Sequence, residues 1–398
     1  MYKRQVVIGS HGRGSPVAAL RLAADRSMLS RNWGWLGVLA CFTGLLLLAY
    51  FVVVAGWSLA YASQMQAGVF SSASVSLVGE QFQRLLANPL EMVYWQSLFL
   101  LVVVLIAGFG VRRGLGFVVW LIVPVLVVLL GVLVQYAFEV GDMEAAGDFL
   151  FTAKRIDFTA ESVLVALGHA LFTLGVGVGT GISYGAYAPA RIPIGRSVLA
   201  VALFDTMIAM LVGVAIFPLV FANNIEPSMG PGLMFVSLPY AFGHMIQGEM
   251  FGTLFFLLVV VGALGSSVAI FEPVVGALMQ GLKLGRLTAA VLAGALVWGG
   301  SMAVAYSLSS TDDSAWYGNG YLFSLLDQVT ADLLLPLVSL LLALFVGWRL
   351  RPEILRLELY RESTFFVAVW RGLLRYVAPL ASVVILLAAF APGAAGTG

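Results

Sequence analysis

The chain has 398 residues, of which 61% are hydrophobic and only 10% are charged. A water-soluble domain cannot bury so much apolar surface, so the composition indicates a polytopic helical membrane protein and excludes a soluble globular class. The formal net charge of +1 argues against nucleic acid as a partner. The single cysteine, Cys41, excludes an intramolecular disulfide and a zinc site built on several cysteines.

The start of the chain, Met1–Arg26, is basic and lacks the apolar core of a cleavable signal peptide. We expect residues 1–32 to form a cytoplasmic segment, residues 33–392 to form a transmembrane domain, and residues 393–398 to form a tail. The fold class predicted from this composition is an all-α polytopic membrane protein with about nine transmembrane helices.

The apolar segments of spanning length number nine. The predicted spans are 34–62, 92–111, 115–137, 162–188, 197–221, 251–280, 287–307, 321–348 and 373–392.

The fourth predicted span contains alternating glycines at Gly175, Gly177, Gly179 and Gly181. A helix that runs through them is weak, because each Gly costs about 1 kcal/mol relative to Ala. We therefore expect the chain to be locally non-helical near Gly177. Irregular backbone at membrane depth is tolerated only where it is buried in protein or lines a wet cavity, so this break predicts an ion or solute site.

The loops between the predicted spans alternate in charge. One face of the membrane receives all but three of the 21 Lys and Arg residues, the exceptions being Arg84, Lys154 and Arg155. The positive-inside rule places the basic face in the cytoplasm, with the N-terminus inside and the C-terminus outside. One external loop, 222–249, holds several large apolar residues, and we expect either a re-entrant hairpin or an amphipathic surface helix there.

Four carboxylates fall inside predicted spans, Asp205, Glu272, Asp327 and Asp332, and the first two call for an explanation here. Asp205 lies well inside the span 197–221, and an ionisable group at membrane depth is costly and marks a functional site by default. Glu272 precedes Pro273, and we expect its side chain to satisfy the backbone groups that the proline leaves free.

Six stretches together resemble the prokaryotic branch of the neurotransmitter:sodium symporter family. They are Gly168–Gly175, Ser183–Tyr187, Asp205–Thr206, Gly230–Val236, Gly265–Pro273 and Leu326–Asp327. The resemblance implies the inverted-repeat amino-acid transporter fold, in an incomplete form whose helices resemble the third to the eleventh of the family. Residues 7–16 resemble the end of the second helix, so we expect an N-terminally truncated chain that does not transport by itself.

The resemblance also implies two sodium sites. Thr173 and Asp205 fall at ligands of the first, and Gly262 and Ser266 fall at ligands of the second, where Gly265 lacks the usual hydroxyl. Three readings of Asp205 stay open: a sodium ligand whose negative charge replaces a bound chloride, a proton-coupling group, and a structural carboxylate that caps a helix break or pairs with His169. Sodium is therefore the expected coupling ion, with the role of chloride undecided.

For the substrate, the resemblance implies a pocket whose aromatic lid is Phe172. Phe51 aligns with a Tyr that holds the substrate carboxylate in many members, and Tyr50 replaces that contact only if the register shifts by one residue. Gly175 lies where family members often have a hydroxyl, and Val178 lies where they often have an aromatic residue. Both changes enlarge the pocket and indicate a bulky hydrophobic or aromatic amino acid. The substrate-binding set is Phe51, Tyr50, Phe172, Gly175, Val178, Ser266 and Ile270.

Two gates follow from the same resemblance. Asp327 matches the acid of the external gate, and Tyr187 matches an aromatic residue of the internal gate. The internal acid is replaced by Gln280.

The function that these features predict is sodium-coupled symport of amino acids or related amines in the cell inner membrane. The partners expected are a small-molecule substrate and the lipid bilayer, and a homodimer stays an open option. A passive channel and a non-transporting membrane scaffold are the alternatives. No nucleophile–base motif, HExxH motif or carboxylate cluster within the spans indicates an enzyme.

Overall fold

The helices were located in a computed structural model of the full chain. It describes residues 2–12, 14–110, 114, 116–152, 159–188, 193–225, 230–310, 318–351, 353–354 and 362–389. Throughout these ranges the regular secondary structure is helical, and no strand occurs in them. The predicted tail over 393–398 and the end of the ninth predicted span lie outside the described residues.

Seventeen α-helices form the described chain. In chain order they are α1 Tyr2–Gly12, α2 Pro16–Arg26, α3 Trp35–Gln66, α4 Val75–Ala87, α5 Pro89–Gly108, α6 Gly116–Val140, α7 Met143–Phe151, α8 Ala160–Thr173, α9 Thr180–Tyr187, α10 Ile194–Ala222, α11 Leu238–Gly243, α12 Gly248–Gly281, α13 Arg286–Ser309, α14 Tyr321–Gln328, α15 Leu335–Leu344, α16 Thr364–Gly372 and α17 Ala378–Ala389. Shorter helical turns are the 3₁₀ segment Arg31–Gly34 and the π-helical segments Leu233–Ser237, Val329–Leu334, Phe345–Arg349 and Leu373–Val377.

Eight helical stretches of the described chain are long and apolar enough to cross a membrane. They confirm eight of the nine predicted spans. The fourth prediction, 162–188, is the exception, because two short helices, α8 and α9, replace one rod. The last span also begins earlier than predicted, at Val367, because the helix continues through the basic residues Arg371 and Arg375.

The centre of the fold is the pair of long helices α3 and α12. In the most apolar window of the span that contains α3, 61% of the residues are buried, whereas the matching figure for α10 is 6%. Such a difference separates a central helix from one that faces lipid, since lipid-facing residues stay exposed in the protein alone. Large apolar side chains of α3, α5, α12 and α13 fill the space between these helices.

The loop between α10 and α12 enters the protein, as a re-entrant segment does. Its helical part runs from Leu233 to Gly243, and the side chains of Phe235 and Phe242 are 1% exposed. The alternative of a purely surface helix does not account for this burial. Ile246, another large apolar residue of the predicted loop, is 78% exposed.

Two glycines let α1 lie directly against α9. A side chain at Gly9 would overlap the backbone of Ile182, and one at Gly185 would overlap the backbone of Val6. Small residues at such a contact allow two helix backbones to approach closely, which favours association inside a membrane. The N-terminal helix thus braces the second half of the broken span.

The close contact predicts the effect of a single methyl group. Gly185→Ala should lower the thermal unfolding temperature of the purified protein in detergent, because its Cβ would overlap the Val6 backbone and overpacking costs about 1–3 kcal/mol. Gly299→Ala on α13 is the matched control, since nothing lies within 4 Å of its added Cβ. Equal unfolding temperatures for the two variants would contradict this packing.

Candidate functional site

The predicted break in the fourth span is present in the structure. Helix α8 ends at Thr173 and α9 begins at Thr180, and the residues between them do not continue a helix. The φ angles of Gly175, Gly177 and Gly179 are +58°, +109° and +78°. Non-glycine residues rarely adopt this region, so the alternating glycines are needed for the shape of the break.

Specific contacts fix the glycine loop. The Thr180 hydroxyl donates to the Gly175 carbonyl at 3.1 Å and closes the loop on itself. A Cβ at Gly177 would lie 3.0 Å from the carbonyl oxygen of Leu335, so the loop is pressed against the start of α15. The break is therefore a defined conformation, held by its own chain and by a neighbouring helix.

A cavity of about 420 Å³ opens beside the glycine loop. It is bounded by α3, the broken span, α10, α12 and the start of α15. Its described lining consists of Leu47, Phe51, Phe172, Thr173, Leu174, Gly175, Val178, Thr180, Tyr184, Val201, Asp205, Ser266, Ala269, Ile270 and Leu335. Asp205 is the one carboxylate in this described lining, which contains no Lys, Arg or His.

Of the four residues predicted to bind sodium, three line one cavity and the fourth does not. Thr173, Asp205 and Ser266 all line this cavity. Gly262 lies one helical turn before Ser266 and lines a separate apolar cavity of about 490 Å³, bounded by α6, α10, α12 and the re-entrant segment. The Thr173 hydroxyl donates to the His169 carbonyl of its own helix at 3.1 Å, which leaves its oxygen lone pairs free to face the cavity.

Most residues predicted for the substrate line the same cavity. Phe51, Phe172, Val178 and Ile270 form apolar walls, together with Gly175 of the loop. This part of the cavity wall is therefore apolar and consists mainly of bulky side chains.

The structure places Phe51, not Tyr50, at the cavity. Successive helix residues point about 100° apart, and the Tyr50 hydroxyl lies 3.2 Å from the Thr330 hydroxyl instead. Tyr50 is therefore not among the described residues that line this cavity. Its ring also packs edge-on against Phe323, at a centroid distance of 5.7 Å.

Glu272 is a buried carboxylate at the centre of a polar cluster. Its carboxylate accepts from Arg286 through Nη1 at 3.1 Å and Nη2 at 2.5 Å, and from the Tyr187 hydroxyl at 2.8 Å. The Glu272 side chain is 1% exposed. The expectation that Glu272 serves backbone groups beside Pro273 is therefore wrong, because a buried carboxylate is better satisfied by a cation.

The same cluster ties four helices together. Arg286 Nε donates to the Ala107 carbonyl at the end of α5, at 2.8 Å. With Tyr187 on α9, Glu272 on α12 and Arg286 at the start of α13, the cluster fastens the second half-helix to the helices around it. Gln280, farther along α12, accepts from the backbone amide of Ser15 at 3.2 Å and so fastens α2.

The second predicted gate residue, Asp327, lies elsewhere in the fold. It is exposed on α14, far along the chain from the Tyr187 cluster. The Thr330 hydroxyl donates to the Leu326 carbonyl at 2.7 Å, in the π-helical turn that follows α14.

Sequence reasoning missed several residues that build the site. Thr180 had no signal except its place at the end of the glycine run. Arg286 looked like an ordinary basic loop residue, although a carboxylate within a span requires a partner and could have prompted a search for one. Leu335 and Tyr184 reach the cavity from helix positions that no local pattern distinguishes.

The arrangement combines a broken helix, a cavity of ligand size and one carboxylate. Cavities of about 300–1,000 Å³ suit small molecules, and exposed backbone carbonyls with hydroxyl and carboxylate oxygens suit a hard cation. At the C-terminal end of the broken span, the Tyr187 hydroxyl donates to the Glu272 carboxylate of the ion pair.

Comparison with known proteins agrees with this geometry. The family model described as the sodium:neurotransmitter symporter family matches residues 82–393. An uncharacterized sodium-dependent transporter of Bacillus subtilis, YhdH, is 29% identical over 386 residues, which cover 96% of this chain and 84% of the relative. A sodium-dependent transporter of Haemophilus influenzae is 28% identical over 377 residues, 90% of this chain and 79% of the relative.

A solved structure shows the same architecture. The crystal structure of MhsT in complex with L-phenylalanine superposes with a TM-score of 0.88 and 29% sequence identity, and the match covers 98% of this chain and 88% of that one.

The loop contact of Thr180 can be tested by hydrogen exchange. Thr180→Val removes the hydroxyl that donates to the Gly175 carbonyl, and a buried acceptor that loses its donor costs about 1–3 kcal/mol. Amides of residues 174–179 should then exchange faster in mass-spectrometric measurements. Thr180→Ser, which keeps the hydroxyl, should leave exchange unchanged. Equal exchange in the Val and Ser variants would show that the hydroxyl does not hold the loop.

A double-mutant cycle tests the Glu272–Arg286 pair. Glu272→Gln and Arg286→Gln should each lower the unfolding temperature, because removing one partner leaves a buried charge, at a cost of about 3–5 kcal/mol. The double variant should be destabilised by less than the sum of the two single effects. Strictly additive effects would mean that the two side chains are not energetically coupled.

Proposed function

Because the chain belongs to the sodium:neurotransmitter symporter family, we propose that its function is sodium-coupled symport of an amino acid or a related amine across the cell inner membrane. The observation that carries this proposal is the cavity beside the broken span, into which Thr173, Asp205 and Ser266 bring their oxygens. In transporters, unwound carbonyls at such a break coordinate the coupling ion, and the half-helix ends face the substrate.

Sodium would be held by two groups of oxygen ligands, of which Thr173, Asp205 and Ser266 line this cavity and Gly262 lies at the neighbouring apolar cavity. Thr173 and Asp205 form the first group, with carbonyls of the glycine loop in reach of the same space. Ser266 and Gly262, one turn apart on α12, form the second group, which Gly265 leaves without a further hydroxyl. The carboxylate of Asp205 adds a fixed negative charge that balances the cation, so we propose that transport does not require chloride.

The substrate side of the cavity favours a bulky apolar side chain. Phe51, Phe172, Val178 and Ile270 supply its walls, and Gly175 projects no side chain into it. A hydrophobic or aromatic amino acid fits these walls, and MhsT was solved with L-phenylalanine bound. L-phenylalanine is therefore the first probe to use.

Two gates would close the cavity in alternation. The cluster of Tyr187, Glu272 and Arg286 joins the second half-helix to α12 and α13, next to the basic loops that we place in the cytoplasm. Asp327 lies on α14 and would take part in external closure. Release of α9 from Glu272 would open the cavity inward.

The proposal is tested by uptake into proteoliposomes. Radiolabelled L-phenylalanine is measured with an inward sodium gradient, with potassium in place of sodium, and after the gradient is collapsed by an ionophore. The protein should accumulate the amino acid only with the sodium gradient. Equilibration without accumulation would favour a passive channel and overturn the symport proposal.

Asp205→Asn tests whether the negative charge of the carboxylate contributes to sodium binding. Losing a charged ligand should lower uptake at limiting sodium by about ten- to a hundredfold, since a hydrogen bond to a charged group contributes about 1.5–3 kcal/mol. Added chloride should restore part of the loss if charge balance is the reason. Glu144→Gln, on the exposed face of α7, is the control and should behave like the parent. Unchanged sodium dependence in Asp205→Asn would remove this residue from the sodium site.

A further inference from the structure

A second large opening lies nearer the C-terminal end of α12 than the transport cavity. It is a groove of about 1280 Å³ between α2, the 3₁₀ turn Arg31–Gly34, α3 and the last turns of α12. We call it the basic-face groove, because it begins among the basic residues at the start of α3 and continues along the apolar surface of the span. Neither the substrate nor the sodium residues discussed above line it.

The polar end of the basic-face groove carries one uncompensated positive charge. Arg31 Nε donates to both carboxylate oxygens of Asp25, at 2.9 and 2.7 Å. This hydrogen bond holds the pKa of Asp25 below its usual range, so the carboxylate stays charged and neutralises Arg31. Arg21, also in the lining, forms no ion pair with any residue that the structure describes, and its stem lies against Gly34.

The other end of the groove is apolar. Trp35, Val38, Phe42 and Leu45 follow one another at helical spacing along α3 and face Val274 and Leu278 of α12. Val38 is 54% exposed and Phe42 is 51% exposed, although α3 is the helix with the most buried window. An open apolar stripe on an otherwise central helix needs an apolar occupant inside a bilayer.

We propose that the basic-face groove binds one anionic phospholipid from the membrane leaflet on that side. Its phosphate contacts the Arg21 guanidinium, and an acyl chain lies along the stripe from Val38 to Leu45. A guanidinium is suited to a phosphate because its donors match the oxygens in a fork, and basic pockets between membrane helices take anionic head groups. A helix of a second protein would fill the apolar stripe but would leave the Arg21 charge without a partner.

Native mass spectrometry of the delipidated chain in detergent tests the proposal. Phosphatidylglycerol is titrated against phosphatidylcholine with the same acyl chains, and bound lipid is counted for each protein molecule. The unmodified chain should bind the first bound phosphatidylglycerol about tenfold more tightly than phosphatidylcholine, which corresponds to about 1.4 kcal/mol. Equal binding of the two lipids would overturn the proposal, and this comparison needs no variant.

Variants locate the lipid. Arg21→Gln should abolish the tenfold preference, whereas Arg196→Gln, an exposed basic residue at the start of α10 outside the groove, should keep it. Val38→Trp fills the stripe and should weaken phosphatidylglycerol binding at least fivefold. An unchanged affinity in Val38→Trp, an equal loss in both arginine variants, or full displacement by millimolar inorganic phosphate would each overturn the lipid assignment.

Discussion

The structure depends on one constraint, that backbone groups at membrane depth must be satisfied inside the protein or face a cavity. The glycine loop between Thr173 and Thr180 meets this constraint in both ways. Thr180 satisfies the Gly175 carbonyl, and the cavity takes up the space beside the loop. The three positive φ angles restrict this shape to glycine. The alternating glycines therefore account both for the local conformation and for the site that forms beside it.

Helix α12 connects the parts of the molecule that a transport cycle would have to coordinate. Ser266 and Ile270 line the cavity, Glu272 holds the second half-helix through Tyr187, and Gln280 holds α2. These contacts follow one another along a single helix. Helix α12 therefore connects the cavity directly to the Glu272–Arg286 ion pair. It also connects this ion pair to the basic face.

The helix pair α3 and α12 also borders the basic-face groove. On α3, Leu47 and Phe51 line the transport cavity, whereas the apolar stripe that begins at Trp35 lines the groove. A lipid in this groove would fill the interhelical space that side chains leave open. Its contribution would be to hold α2 and α3 together at the membrane surface, independently of the substrate.

The sequence by itself determined the class of protein, eight of the spans and the break near Gly177. Composition and apolar length decide these, because the bilayer imposes one thickness and one requirement on every helix. The motifs also predicted most of the cavity wall, since Phe51, Phe172, Val178 and Ile270 lie on helices whose register the resemblance fixes.

Only the tertiary structure decided which side chains meet. Glu272 and Arg286 are close because α12 and α13 turn back on one another, and no local pattern carries that information. The same holds for Tyr50, whose neighbour is Thr330 on a distant helix, and for Thr180, whose hydroxyl reaches back across the loop. A local pattern fixes the conformation of a segment, whereas the partners of a polar side chain depend on how separate segments pack.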